Sequence, residues 1–180
     1  MLFGVVTLVA FTYGGGTRPL PLRHQQPAQV TAQMSDARIL GILGAADADE
    51  IEAATLATKK ASTGEVRSYA TLLMRDHQQS LHQNTVLAKQ LRLNRLLPAD
   101  STMTRAHKAE MDQLNLLSTG EFDKAFVQSM VADHQTIINQ INSTLLAQAT
   151  RAAVKAFIRR TRPVLESHLT KGQQWLDKHK

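Results

Sequence analysis

Two copies of one short phrase carry the residues best suited to chemistry. They are Leu73-Met74-Arg75-Asp76-His77-Gln78 and Met130-Val131-Ala132-Asp133-His134-Gln135, 57 residues apart. A neutral imidazole is a common transition-metal ligand, and its second nitrogen needs an acceptor to fix the tautomer. With Glu50 and His168 the histidines make a set of three imidazoles and one carboxylate. That donor set suits a divalent transition metal such as Zn, Fe, Cu or Mn. The same residues also suit a hydrogen-bonded polar layer in a core, with Glu50 accepting from one imidazole. Ser80, Asn84 and Thr161 would then supply further partners. Both readings stand at this level.

Asp76 and Asp133 each precede a histidine by one residue, a step of about 100° on a helix. They therefore face sideways and cannot cap their own ring. Each can reach an adjacent helix, either to orient a metal-bound imidazole from behind or to pair with a base. Glu166-x-His168 has the wrong spacing for the Glu-x-x-His pairs of a di-iron bundle, because residues two apart do not share a helix face. The chain has no cysteine, which removes thiolate sites, disulfides and thiol catalysis. No Gly-rich phosphate loop, nucleophile elbow or Ser/His/Asp arrangement occurs.

The elements that would position these residues are helices. Aromatics make up 4% of the 180 residues, glycine and proline are few, and this balance favours an all-α domain. A first helix is predicted from the Ser35 N-cap to about Ala61, with Ile39, Leu43, Ala46, Glu50, Ala53 and Ala57 inward. The second, from Glu65 to about Leu93, turns Val66, Ala70, Leu73, His77, Ser80, Asn84, Leu87 and Leu91 inward. A connection broken by Pro98 holds a short amphipathic segment, 101–117, with Met103, Ala106, Glu110, Leu114 and Leu117 on one face. The third long helix, from Ser118, presents Phe122, Phe126, Met130, His134, Ile137, Ile141 and Leu145. The fourth, after Thr150, presents Val154, Ile158, Thr161, Leu165, His168, Trp175 and His179, with Pro163 expected to kink it or to remove a hydrogen bond near Arg159. Glu50, His77, His134 and His168 each fall near mid-helix, so a four-helix bundle brings them to one layer, where such bundles place metal sites.

The formal charge is +6 and uneven. Residues 151–180 hold eight Lys/Arg against Glu166 and Asp177, while 35–150 are slightly acidic. Arg151, Lys155, Arg159 and Arg162 form a stripe opposite the core: a solvated helix face, or a surface for anionic lipid or an acidic partner. Nucleic acid is disfavoured, since no aromatic interleaving or binding motif accompanies the charge. Residues 1–13 are almost wholly apolar but short for a spanning helix. They suit an export signal or a membrane-edge anchor better than a buried strand. Residues 14–34, with Gly14-Gly15-Gly16, Pro19, Pro21 and Pro27, read as an extended linker, and 35–180 as the bundle domain.

Several phrases together carry a family resemblance. They are Glu50-Ile51-Glu52 with Leu56-Ala57 and Lys60-Ala61, Val66 with Tyr69-Ala70, and Met74-Arg75-Asp76-His77. Gly120-Glu121-Phe122-Asp123-Lys124-Ala125-Phe126, Asp133-His134, Arg162-Pro163-Val164-Leu165 and His168-Leu169 complete the set. The stretch from about Ser35 to Trp175 resembles the bacterial envelope family called Domain of Unknown Function 4142. The resemblance implies a ferritin-like bundle with a crossover between helices two and three, and export to the periplasm or outer envelope. It implies no reaction. Glu50, His77, His134 and His168 match the family's recurrent polar positions.

Three functional expectations follow. The first is a non-enzymatic accessory or structural subunit, tethered by residues 1–34 and docked to a membrane-associated protein partner. The second is a metal-binding bundle, redox- or stress-linked, using Glu50 and the three histidines. The third makes the basic fourth helix a peripheral membrane surface.

Overall fold

The computed structural model describes residues 33–93 and 102–180. The apolar segment 1–13, nearly all of the linker 14–34, the Pro98 connection and the side chain of Met103 lie outside the described residues. Within them the chain is helical and without strands. Helix α1 spans Asp36–Lys60, α2 Gly64–Gln90, α3 Thr102–Leu116 and α4 Thr119–Gln140. A π turn, Ile141–Leu145, and the short α5, Leu146–Gln148, extend α4, and α6 spans Ala152–Lys178. The four long helices and the short crossover helix are those the periodicity predicts.

The starts follow capping chemistry. The Ser35 hydroxyl accepts from the Arg38 N–H at 3.2 Å and the Thr63 hydroxyl from the Val66 N–H at 3.3 Å, satisfying donors that a helix end leaves open. Two aspartates tie the hairpins together. Asp36, in the first turn of α1, accepts from Thr150 N and Oγ1 and from Arg151 N at the start of α6. Asp123, near the start of α4, accepts from the N–H and hydroxyl groups of Ser62 and Thr63 at the start of α2.

These ties set the directions. The start of α1 lies at the end of the α4 segment, and the start of α4 lies at the end of α1, so α1 and α4 are antiparallel. The Arg151 guanidinium donates to Leu91 O, placing the end of α2 beside the start of α6. Helix α1 packs on α2 and α4, and α6 packs on α4 and α2. Helices α2 and α4 are therefore a parallel diagonal pair, and the crossover holding α3 returns the chain along the bundle's length. In the π turn the bonds run i→i+5, so steps of four keep Ile137, Ile141, Leu145 and Ala149 on one buried face.

The core comes in two blocks. One gathers Ile39 to Leu43, Ile137 to Leu145 and Val154 to Leu165; the other gathers Ala53 to Ala61, Val66 to Leu73 and Phe122 to Met130. Phe122, Phe126 and Phe157 are completely or almost completely buried, and truncating such a residue costs about 3–5 kcal/mol. Between the blocks every long helix turns polar: Asp47 and Glu50 on α1, His77 on α2, His134 on α4 and His168 on α6, all buried. Pro163 is exposed, and α6 runs through it without interruption, giving up only the hydrogen bond to Arg159 O. His179, expected inward, is exposed and stacks on Trp175 with centroids 4.1 Å apart, because the bundle has ended by that turn. Among the described residues no helix is long and apolar enough to cross a membrane.

Candidate metal centre

The three imidazoles form a triangle. Ring centroids are 5.5 Å apart for His77 and His134, 5.3 Å for His77 and His168, and 5.2 Å for His134 and His168. One nitrogen from each ring lies within 4.8 Å of the other two. Buried imidazoles keep such an arrangement only if their outer nitrogens are satisfied, and each one is.

His134 Nδ1 donates to Met130 O, one turn back, at 2.7 Å. A carbonyl only accepts, so the ring proton sits on Nδ1 and the lone pair on Nε2. His168 Nε2 lies 3.0 Å from Asp76 Oδ2. Burial raises the Asp76 carboxyl, but bonds from His168 and Arg75 outweigh it and hold the group below the usual range, so Nε2 is the donor and Nδ1 holds the lone pair. His77 Nδ1 donates to Asp47 Oδ1 at 2.9 Å. Three acceptors behind the rings thus aim His77 Nε2, His134 Nε2 and His168 Nδ1 inward. Carboxylates and carbonyls behind metal-binding histidines have this role elsewhere.

The titration of the three rings differs. Burial lowers His134, and it lowers His168 to about 4 although Asp76 pulls the other way. Both are neutral near pH 7. Burial also opposes charge on His77, yet Glu50 and Asp47 outweigh it and raise that ring to about 10. Glu50, 5% exposed, is held below the usual carboxylate range, since His134 and His77 outweigh its desolvation. Its Oε1 lies 3.3 Å from His134 Nδ1 and its Oε2 3.2 Å from His77 Nε2. Neither member of that second contact has a hydrogen bond of proper geometry.

The sharpest feature is the approach of His134 Nε2 to His168 Nδ1 at 3.1 Å. With both rings neutral and both protons turned outward, two lone pairs face each other. That contact is repulsive unless a cation lies between them, and burial resists supplying it as a proton. Two nitrogens each about 2.0–2.1 Å from one ion stand about 2.9–3.4 Å apart at right-angled to tetrahedral geometry. The donor set therefore fits a transition metal, with Glu50 Oε2 3.2 Å from one of the inward nitrogens, His77 Nε2.

Of the residues singled out in the sequence, Glu50, His77, His134 and His168 are brought together, and Asp76 backs His168. Asp133 is not behind an imidazole of the triangle. It lines a cavity with Asp49, Glu50, His107 and Glu110, where burial first, and then Glu110 and Glu50, push its carboxyl up to about 7. The repeated phrase thus has divergent roles on its two helices. The basic stripe is partly spent within the chain: Arg151 lies 3.7 Å from Asp36 and Arg162 2.7 Å from Glu166. Lys155 is half-buried and Arg159 exposed.

Sequence reasoning missed Asp47. It stands three residues before Glu50, on the same helix face, and that spacing was the available signal. It also missed His107 on α3, which lies 3.2 Å from Glu52 and 3.8 Å from Glu110. The bond to Glu110 leads in raising that ring to about 9. Glu110, three residues on along the same face of α3, was the available local signal; Asp49 and Glu52 come from α1 and leave no mark in the sequence around His107.

Several solved structures share the fold. A DUF305 fragment from Deinococcus radiodurans superposes with a TM-score of 0.71 at 16% identity, covering 79% of this chain and 95% of its own. CopM in its Cu(II)-bound form gives 0.68 at 20%, covering 82% and 99%, and CopM in its Ag-bound form 0.64 at 19%, covering 81% and 98%. No curated protein matches the chain. The family described as Domain of unknown function (DUF4142) matches residues 21–175, in agreement with the resemblance of the quoted phrases, and the chain belongs to that family.

Proposed function

We propose that the protein binds one transition-metal ion of the copper class at His77, His134 and His168, with Glu50 as an oxygen donor. The observation that carries this is the 3.1 Å approach of His134 Nε2 and His168 Nδ1, with the proton of each ring held outward by Met130 O and Asp76. Imidazole nitrogen with one carboxylate suits Cu and Zn among the divalent ions. The fold shared with CopM, whose structures hold Cu(II) and Ag, favours copper and silver.

The chain's own part is positional and protonic. Asp47, Met130 O and Asp76 fix the three tautomers, and the two apolar blocks above and below limit water at the layer. His77 holds a proton in the metal-free state, between Asp47 and Glu50, and must give up the Nε2 proton before that nitrogen can ligate. Equilibrium dialysis against Cu(II) followed by elemental analysis tests the reading. One copper per chain is expected, falling to background in His134→Ala, and wild-type protein without copper sinks it. We propose a location in the bacterial envelope, which the apolar segment 1–13 supports; recovery of the protein in the cytoplasmic fraction with residues 1–13 intact would contradict it.

A further inference from the structure

Two cavities reach the buried layer from different sides of the bundle, and they differ in charge. The first, about 390 Å³, lies where α1, α3 and α4 meet and is lined by Asp49, Glu50, His107, Glu110, Ser129 and Asp133. Four carboxylates there face one imidazole. The second, about 300 Å³, is lined by Asp47, Asp76, His77, Ser80, Arg160 and His168. Its carboxylates are already bonded to His77 and His168, and Arg160 adds a fixed positive charge.

Glu50 connects the first cavity to the triangle. It lines the cavity, is 5% exposed, and its Oε2 has no hydrogen-bond partner while standing 3.2 Å from His77 Nε2. A buried carboxylate with a vacant acceptor site, at the junction of an acidic cleft and three imidazoles, is a place for a cation to pause. A cleft whose lining is mainly acidic, four carboxylates against the one imidazole of His107, and whose walls are apolar, here Ala46, Ala53 and Ile137, concentrates cations and speeds their capture about 10–10³-fold.

We infer that the acidic cavity is the cation entrance to the centre: Asp49, Glu110 and Asp133 collect a metal cation and Glu50 passes it to the imidazoles. The inference rests on the metal-binding reading above. Helix α3 is then a functional wall, supplying Glu110 and, in His107, the countercharge that holds the carboxylates together when no cation is present.

Stopped-flow mixing with Cu(II) sulfate, read by the visible absorption of the bound ion, tests this on the full chain. In Asp49→Asn/Glu110→Gln the on-rate should fall about tenfold or more and lose most of its salt dependence, while equilibrium stoichiometry stays at one. His107→Gln, which removes the countercharge, should raise the on-rate, and Arg160→Gln in the other cavity should leave it within about twofold. An unchanged on-rate in the double variant, or a larger effect from Arg160→Gln, overturns the entrance while leaving the triangle intact. Wild-type protein that takes up no copper contradicts the triangle itself, and that result precedes any variant.

Discussion

His134 Nε2 and His168 Nδ1 face each other across 3.1 Å, with the proton of each ring turned the other way. The pairing is imposed from outside. Met130 O, fixed by the α4 backbone, sets one tautomer, and Asp76, reaching across from α2, sets the other. The two helices that converge on this contact are adjacent and antiparallel, so packing of the bundle forces the approach. A structural layer without a ligand would be expected to place a proton between the two nitrogens; burial of both rings works against that.

The groups behind the imidazoles should tune affinity without being ligands. Asp76→Ala frees the His168 tautomer and is expected to weaken copper binding about 10–100-fold, with stoichiometry kept at one. Calorimetric titration of the variant against wild type measures this. An unchanged dissociation constant would show that Asp76 has only a packing role.

Metal uptake should release protons. His77 is raised to about 10 in the metal-free protein, so below that pH an ion must displace the Nε2 proton. Affinity is therefore expected to rise roughly tenfold per pH unit between about 6 and 9, read from competition titrations at several pH values. Equal affinity across the range would mean that His77 does not ligate.

The Asp123 tie joins the two hairpins at one end of the bundle. It accepts four hydrogen bonds of 2.8–2.9 Å from Ser62 and Thr63, and these outweigh its desolvation to hold the carboxyl below its usual value. Asp123→Ala should lower unfolding free energy by about 2–4 kcal/mol at neutral pH, from lost charged bonds and orphaned N–H groups. Because the folded pKa is depressed, this stabilisation is full above about pH 4 and is lost as pH falls through the folded value. The gap between wild type and variant in denaturant melts should close over that window.

Helix α6 sits against α2 and α4 through Gly172. A Cβ there would stand 2.7 Å from Val131 Cγ2 and 3.1 Å from the Tyr69 hydroxyl, which donates to His168 O. Gly172→Ala is expected to cost about 1–3 kcal/mol from overpacking. Val131→Ala should recover part of that loss in the double variant, as measured by thermal melts; additive losses would point to a backbone cause instead.

Periodicity made the helices legible because every long helix buries one clear stripe: all seven inward positions expected from Phe122 to Leu145, along α4 and the π turn, are buried. The central layer was legible for the same reason, since mid-helix position and inward phase are both local properties. What escaped is what depends on neighbours. Asp133 shares its phrase with Asp76, yet one meets an imidazole across a helix contact and the other meets the carboxylates of α1 and α3. Asp36 and Asp123 look like ordinary acids near a helix start, but each reaches a loop that only the tertiary fold brings near. The charge states of His77 and His134 likewise differ by environment, not by residue type.

Three imidazoles sharing one ion leave a direct spectroscopic signature. X-ray absorption at the copper edge on protein loaded with one equivalent, alongside His168→Ala, tests that sharing most directly. Three imidazole scatterers with nitrogen about 2.0 Å from copper are expected, and one fewer in the variant. Copper bound with one imidazole or none, and a spectrum indifferent to His168→Ala, would contradict it.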